Sequence, residues 1–236
     1  MRQVKTMLID QGVMSYEKAL TCQQDIRKNI IDRKKSGLET LSNNVLILCE
    51  HEAILTFGSS AKKNELLIPR ERLLEVGMNS IDVNRGGAIT FHGEGQIVGY
   101  PILDLENFKT DIRWYIKNIA AVIIQTLKEY GIESYYDQEF PGVWIKDDLT
   151  GEKKKICAVG VHLSRWVTNH GFAFNINNSL EYYKYFVPCG IAEQDRTVTT
   201  LQNETNKEMN IEEVKEKLLL NFSSVFSTKL IKTNSK

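Results

Sequence analysis

Two short segments of the chain carry residue types that suit nucleophilic chemistry. Cys189 lies in a Pro-Cys-Gly-Ile segment, residues 188–191, and a cysteine between proline and glycine is typical of a loop or turn. Loop placement favours the exposure that a thiol nucleophile needs. Lys155 ends a run of three lysines and directly precedes an apolar run, so it stands where solvent meets the protein core. If its side chain points inward, its ammonium can stabilise a nearby thiolate.

Both features also have ordinary structural explanations. Most free cysteines are small buried hydrophobic residues, and lysines at the end of a loop are usually solvated. The four cysteines, Cys22, Cys49, Cys157 and Cys189, are far apart and form no CxxC pair. We expect them to be free thiols in a reducing compartment. Residue spacing alone therefore leaves a catalytic and a structural role open for Cys189.

A second candidate site is glycine-rich and lies in the middle of the chain. Residues 85–87 are Arg-Gly-Gly and residues 92–96 are His-Gly-Glu-Gly-Gln, each beside a strand-like run. Glycines in a strand pattern mark a bulge or a close approach of the backbone to another group. The segment is either a tight hairpin or a backbone wall against which a ligand lies, with Arg85 and His92 as polar side chains. Walker A and GxGxxG phosphate-binding loops are both absent.

The histidines do not follow a metal-binding pattern. His51, His92, His162 and His170 include no i,i+4 pair, and no CxxC accompanies them, so we expect no metal site. His170 precedes a glycine, and we expect it to orient a loop or to contact a ligand.

Composition sets the broad class of the protein. The chain has 236 residues, of which 42% are hydrophobic and 25% charged, and these values exclude wholesale disorder. Lys and Arg (30) balance Asp and Glu (30), which argues against binding nucleic acid through bulk charge. No run approaches the roughly 18 apolar residues of a membrane-spanning helix, and the first residues lack the features of a secretory signal. We therefore expect a soluble, cytoplasmic protein that does not engage membranes.

Hydrophobic periodicity predicts the elements that position these residues. Helices are predicted over residues 15–35 with Ser15 as cap, over 110–131 with Thr110 as cap, and from Asn210 onwards. A short helix is predicted over residues 71–76. Strands are predicted at residues 45–49, 53–57, 143–146, 156–163 and 172–176. Strands and helices mix without strict βαβ alternation, which predicts an α+β fold, a mixed β-sheet with flanking helices.

Five blocks of the sequence resemble the octanoyltransferases of lipoate biosynthesis, the LipB family. They are RGGAITFHGEGQIVGYPILDL, PGVWI, KKICAVGV, NHGFAFNIN and VPCGI, and they occur in the family's order across about residues 5–202. The resemblance implies a biotin/lipoate protein ligase-like fold over about residues 5–226. We expect one catalytic domain, residues 1–236, that ends in a short polar tail.

The resemblance also implies the reaction and its residues. Octanoyl would move from octanoyl-acyl carrier protein to a lysine of lipoyl domains, those of E2 subunits and of the glycine cleavage H protein, without a cofactor. Cys189 matches the nucleophile that forms an acyl-thioester, and Lys155 matches the lysine that lowers its pKa. The implied substrate-binding residues are Arg85, Gly86, Gly87, Ala88, Ile89, Thr90, Phe91, His92, Ala158, Val159, Gly160, Gly171, Phe172 and Ala173. Phe91 and Glu94 depart from the family, which usually has Tyr and Pro at these positions.

Two alternatives remain open at this level. One is an ATP-dependent lipoate-protein ligase of the same fold, and the other is a non-catalytic protein that binds lipoyl domains or acyl groups. The Pro-Cys-Gly-Ile segment and the absence of a ligase-type SGGG segment favour the transferase. A neutral transferase needs a local basic patch for an acidic carrier, which we expect at Lys153, Lys154 and Arg165. The acyl slot is expected at Val159, Phe172 and Ala173.

Overall fold

The computed structural model describes residues 3–188 and 195–232. The strands in these ranges are β1 (Lys5–Val13), β2 (Asn44–Glu50), β3 (Ile54–Phe57), β4 (Asn79–Asp82), β5 (Ile89–His92), β6 (Gln96–Ile102), β7 (Tyr135–Asp137), β8 (Gly142–Lys146), β9 (Lys153–Ser164), β10 (Val167–Asn175), β11 (Arg196–Val198) and β12 (Lys229–Lys232). The α-helices are α1 (Tyr16–Lys35), α2 (Ile112–Lys128), α3 (Leu201–Thr205) and α4 (Ile211–Val225).

The strands form one large and one small sheet. The large sheet has the order β12-β1-β2-β6-β10-β9-β8-β7, and β11 pairs with the start of β9. The small sheet has the order β4-β3-β5. Both sheets mix parallel and antiparallel pairs, for example β1 parallel to β2 and β9 antiparallel to β10. The predicted α+β class, a mixed sheet with flanking helices, is confirmed.

Helices cover both faces of the large sheet. Leu46 and Leu48 of β2 belong to the core under α2 and α4, and Val45 and Ile47 belong to the core under α1. This alternation explains why β2 is an uninterrupted apolar run, since side chains of a strand covered on both sides are all buried. A third, smaller core lies under the small sheet around Leu55 and Phe91.

Helix caps follow the sequence with one exception. Ser15 accepts from the backbone N of Lys18, and Asn210 accepts from the first turn of α4, both as expected. The prediction of Thr110 as the cap of α2 is wrong, because Asp111 accepts from the amides of Arg113 and Trp114 at 2.9 and 3.1 Å. A carboxylate satisfies two orphan amides at once and also complements the helix dipole.

Three further differences concern element type and length. The short helix predicted over residues 71–76 is two 3₁₀ turns, Arg70–Arg72 and Leu74–Val76. Strands β9 and β10 each begin earlier than predicted, because their polar ends pair with neighbouring strands and need no apolar pattern.

Within residues 3–188 and 195–232, no helix combines the length and the apolar character required to cross a membrane.

Candidate functional site

A β-bulge in β9 brings Lys155 to the site. Trp144 of β8 pairs with Lys155, and Val143 pairs with Cys157, so Ile156 is an extra residue without an opposite partner. Beyond the bulge, Cys157 lies in the core under α2 and Val159 packs against that core. Lys155 is only 6% exposed and lines a cavity together with Ala158.

Two adjoining cavities lie on the face of the large sheet that carries Lys155 and Ala158. The Lys155 cavity is bounded by Lys155, Ile89, Phe186 and Pro188. The Tyr16 cavity is bounded by Tyr16 and His92 among others. They share the lining residues Thr90, Ala158 and Ala173. The two cavities therefore adjoin at these three small side chains, and we call the pair the slot.

Glycines hold the backbone close together around this slot. A Cβ on Gly171 would lie 2.0 Å from the carbonyl oxygen of Gly99, and one on Gly160 would lie 2.8 Å from that of Gly86. No side chain fits at either position without moving the neighbouring backbone. The family resemblance implies that Gly160 and Gly171 bind substrate. The structure shows that both glycines also allow the close approach of neighbouring backbone segments.

Arg85 holds together the loop beside the slot. Its guanidinium donates to the carbonyl oxygens of Thr56 at 2.7 Å, Ala88 at 2.9 Å and Gly86 at 3.0 Å. The amide of Gly86 in turn donates to Val161 of β9 at 3.0 Å. Arg85 is 5% exposed and lines the Tyr16 cavity. The guanidinium therefore fixes the shape of residues 85–88 against the sheet.

A chain of buried hydrogen bonds joins the two cavities. His92 Nδ1 lies 3.0 Å from Oε1 of Gln96, and Gln96 Nε2 donates to Oδ1 of Asn175 at 2.9 Å. Because an amide oxygen can only accept, the proton of His92 is on Nδ1. Burial lowers the pKa of His92 well below its usual value, so this imidazole is neutral. The unprotonated Nε2 of His92 lies 3.4 Å from the hydroxyl oxygen of Thr56.

His170 also lines the Tyr16 cavity and has an unusual backbone. Its φ is +57°, its amide donates to Oε1 of Gln23 at 3.0 Å, and its Nε2 lies 2.9 Å from Oδ1 of Asn84. Desolvation lowers the pKa of His170 to about 3. The contact with Asn84, which directly precedes Arg85, ties the 85–88 loop to β10, so His170 orients a loop as the sequence suggests.

The remaining predicted residues are distributed around the slot. Ile89 and Phe91 line the Lys155 cavity, and Gly171 and Phe172 line the Tyr16 cavity. The expectation that Val159 lines the acyl slot is wrong, because Val159 packs against the core under α2 on the other face of the sheet. The Phe91 ring stacks on Tyr182 at 4.9 Å, a contact that needs no hydroxyl at this position. Cys189, and with it Gly190 and Ile191, lies outside the described residues.

Four residues of the site were not predicted from the sequence. Trp144 and Gly142 frame Lys155 from β8, Asn175 ends the hydrogen-bond chain, and Tyr16 comes from α1. The segment PGVWI contained Gly142 and Trp144, but only the register of β8 against β9 shows which residue they face. Tyr16 was visible only as part of an apolar helix stripe.

The expected basic patch is not formed. Lys153 pairs with Asp195 at 3.1 Å, and Lys154 pairs with Asp147 at 3.2 Å and Glu204 at 3.6 Å. Arg165 follows the far end of β9, about 40 Å along the strand from Lys153 at ~3.3 Å per residue. Partnered lysines and a distant arginine cannot act as one surface.

Among the described residues, no group of three or more His, Cys, Asp or Glu side chains is placed to hold a metal ion.

Comparisons with known proteins agree with the resemblance seen in the sequence. An octanoyltransferase of Christiangramia forsetii is 43% identical over 93% of this chain and 94% of its own length. One of Cytophaga hutchinsonii is 40% identical over 94% of this chain and 93% of its own length. A bipartite lipoate protein ligase of Thermoplasma acidophilum has the same fold, with a TM-score of 0.70 and 13% identity over 99% of this chain and 88% of that one.

The family match covers most of the chain and both cavities. Residues 15–223 match the lipoyl protein ligase A/B catalytic domain. That range contains Tyr16, the 85–88 loop, Lys155 and strand β10, which together form the slot. The expected ligase-like fold and family are therefore confirmed, and this chain belongs to the lipoyl protein ligase A/B catalytic domain family.

Proposed function

We propose that this protein is an octanoyltransferase of lipoate biosynthesis. It moves octanoyl from octanoyl-acyl carrier protein to a lysine of lipoyl domains, through a thioester on Cys189 and with Lys155 as partner of that thiol. The curated relatives at about 40% identity over nearly the whole chain carry this name. The observation that carries the proposal is the buried Lys155, whose side chain lines the slot.

Both chain segments that flank Cys189 approach Lys155. Pro188, the residue before Cys189, lines the Lys155 cavity. On the other side, β11 pairs with the start of β9, and Val198 lies directly opposite Lys155. These positions of the flanking residues support Lys155 as the partner of the Cys189 thiol. A buried ammonium and a thiolate there offset each other's desolvation.

The first step is transfer of octanoyl to Cys189. The thiolate sulfur attacks the thioester carbonyl of the donor, the new carbon–sulfur bond forms, and the carrier's thiolate leaves. The departing thiolate takes a proton from the Lys155 ammonium, which leaves Lys155 neutral for the second step. The thiolate, not the thiol, is the nucleophile. Free cysteine is only a few per cent ionised at neutral pH, so a nearby Lys155 ammonium is needed to favour ionisation.

In this proposal the slot holds the octanoyl chain and buries its methylenes. An octanoyl tail has about six methylenes, and burying each is worth ~0.8 kcal/mol, or roughly 5 kcal/mol before ordering costs. Phe91 and Phe186 supply large apolar surfaces beside the small residues Thr90, Ala158 and Ala173. Substrate binding by the residues implied from the family resemblance, apart from Val159, is part of this proposal.

The second step returns the thiol. The neutral amine of the acceptor lysine attacks the Cys189 thioester, an amide bond forms, and the Cys189 thiolate leaves. The proton lost by the attacking amine passes to Lys155, which must be neutral at that moment to accept it. Arginine cannot perform this exchange, because its guanidinium stays protonated.

Intact-mass measurement tests the proposal. The protein is mixed with octanoyl-acyl carrier protein, with and without ATP, and then with a lipoyl domain. We expect an octanoyl adduct on Cys189 without ATP and its transfer to the domain. A requirement for octanoate and ATP would instead identify a ligase, and no adduct in either case would leave a binding protein. The Cys189→Ala variant is the matched control and should form no adduct.

A further inference from the structure

Trp144 is a buried core residue whose ring faces two cations. It is 0% exposed. Lys155 Nζ lies 4.8 Å from the ring centroid, and Arg196 Cζ lies 5.5 Å from it. A large aromatic ring in such surroundings interacts through the negative potential of its face.

The bulge in β9 creates the contact between Trp144 and Lys155. It makes the two residues a cross-strand pair, whereas unbroken pairing from Val143 opposite Cys157 would place Ile156 there. Gly142, two residues before Trp144, leaves room for the lysine stem. A Cβ at Gly142 would lie 2.8 Å from Cε of Lys155. The lysine stem thus crosses Gly142 while its ammonium lies over the indole.

The indole itself is held in place on its other side. Its Nε1 donates to the carbonyl oxygen of Phe140 at 3.1 Å. The Arg196 guanidinium lies 4.1 Å from the Phe140 ring centroid. A ring with a fixed orientation can direct a flexible ammonium, whose four-carbon stem otherwise samples many rotamers.

We propose that Trp144 is a positioning residue for the reaction, whose ring face holds the ammonium of Lys155 charged and aimed into the Lys155 cavity. This inference rests on the proposed function, in which Lys155 stabilises the Cys189 thiolate. Removing the ring face should therefore slow formation of the Cys189 thioester. Water is largely excluded from this site, where a cation–π contact is stronger than at a surface.

Among the described residues, two titratable neighbours of Lys155 add no negative charge that would compete with the thiolate for its ammonium. Cys157 lies in β9 and Tyr183 lines the Lys155 cavity, and burial raises the pKa of both above their usual ranges. Both are therefore neutral near pH 7. Arg196 of β11 is the other cation near the ring, and the experiment must separate it from Lys155.

Fluorinated tryptophans test the proposal with little change in shape. Trp144 becomes the one remaining tryptophan when Trp114 and Trp166 are replaced by Phe, since the chain has three. The protein is produced with tryptophan or with its mono-, di- and trifluoro analogues, which weaken the ring face stepwise. Two readouts are taken: the rate of octanoyl adduct formation and the pH profile of iodoacetamide labelling at Cys189.

We expect both readouts to change in steps with fluorination. Adduct formation should slow by about tenfold over the series, equivalent to roughly 1.4 kcal/mol, and labelling should require progressively higher pH. Trp144→Phe in the otherwise natural chain should retain more activity than Trp144→Leu, which has no ring. Readouts that stay flat across the series would show that Trp144 only fills space and would overturn the proposal.

Variants at Lys155 separate the two cations. In a Lys155→Met background, the labelling profile should no longer respond to fluorination. A response that persists there would mean that the ring acts through Arg196, which also contradicts the proposal. Should the natural chain form no octanoyl adduct, the proposed function fails, while the labelling profiles still report whether Trp144 and Lys155 control the Cys189 thiol.

Discussion

Ala173 is the residue at which the slot is most sensitive to size. It is 3% exposed, pairs with Ala158 and Val98, and lines both cavities. Replacing it with leucine adds about three methylene equivalents at the junction of the cavities. An acyl chain that enters beside Lys155 then cannot pass into the Tyr16 cavity. About four of its six methylenes lose their burial, at ~0.8 kcal/mol each.

The expected cost to an octanoyl donor is therefore roughly 3 kcal/mol, or about a hundredfold in kcat/KM, whereas a butanoyl donor should be little affected. The assay compares thioesters of four, six and eight carbons by intact mass, at single turnover. Ala173→Val should fall between the natural chain and Ala173→Leu. Overpacking costs stability, so each variant is first checked for its Tm.

Val159 provides the matched control. It is in register with Phe172 on the neighbouring strand, and both residues pack in the core under α2. Val159→Leu should therefore leave the ratio of eight-carbon to four-carbon rates unchanged. If Ala173→Leu kept the same ratio as the natural chain, the acyl chain would not pass Ala173, and the assignment of the slot would be refuted.

Three other predictions concern the surroundings of Lys155 and the buried histidines. Gly142→Ala should lower both the Tm and the rate of adduct formation, because its Cβ would lie 2.5 Å from the carbonyl oxygen of Cys157 and 2.8 Å from Cε of Lys155; a natural adduct rate would contradict this. Lys155→Arg should still form the Cys189 adduct but transfer it slowly to a lipoyl domain, as seen by timing the two steps separately. The folded-state pKa of His170, about 3, lies below the unfolded value of ~6.5, so the unfolded chain binds the proton first. The neutral His170 contributes its full share to the free energy of unfolding above about pH 6.5. This share falls with pH and is reduced by roughly 2 kcal/mol at pH 5. Urea unfolding at pH 7 and 5 should show this decline, and His170→Gln should reduce it; an equal decline in the variant would assign it to other groups.

The sequence was sufficient where the determinants are local. Ser15 and Asn210 cap their helices because a side chain two or three residues away from an orphan amide needs no tertiary partner. The apolar run of β2 and the glycine-rich middle segment were legible for the same reason. Ordered blocks of sequence then indicated the family, which the comparisons confirmed. Cys189 remains a prediction from those blocks.

Tertiary structure decided which of these residues meet. A bulge of one residue in β9 determines whether Lys155 faces the slot or the core, and strand periodicity alone does not reveal it. Trp144 reaches Lys155 from another strand, and Tyr16 reaches the slot from α1 across many intervening residues. The basic patch expected at Lys153 and Lys154 vanished because acidic partners distant in sequence neutralise it. Local pattern thus determined the elements and the chemistry that they carry, whereas strand register and long-range pairing, which depend on the whole sheet, determined the site.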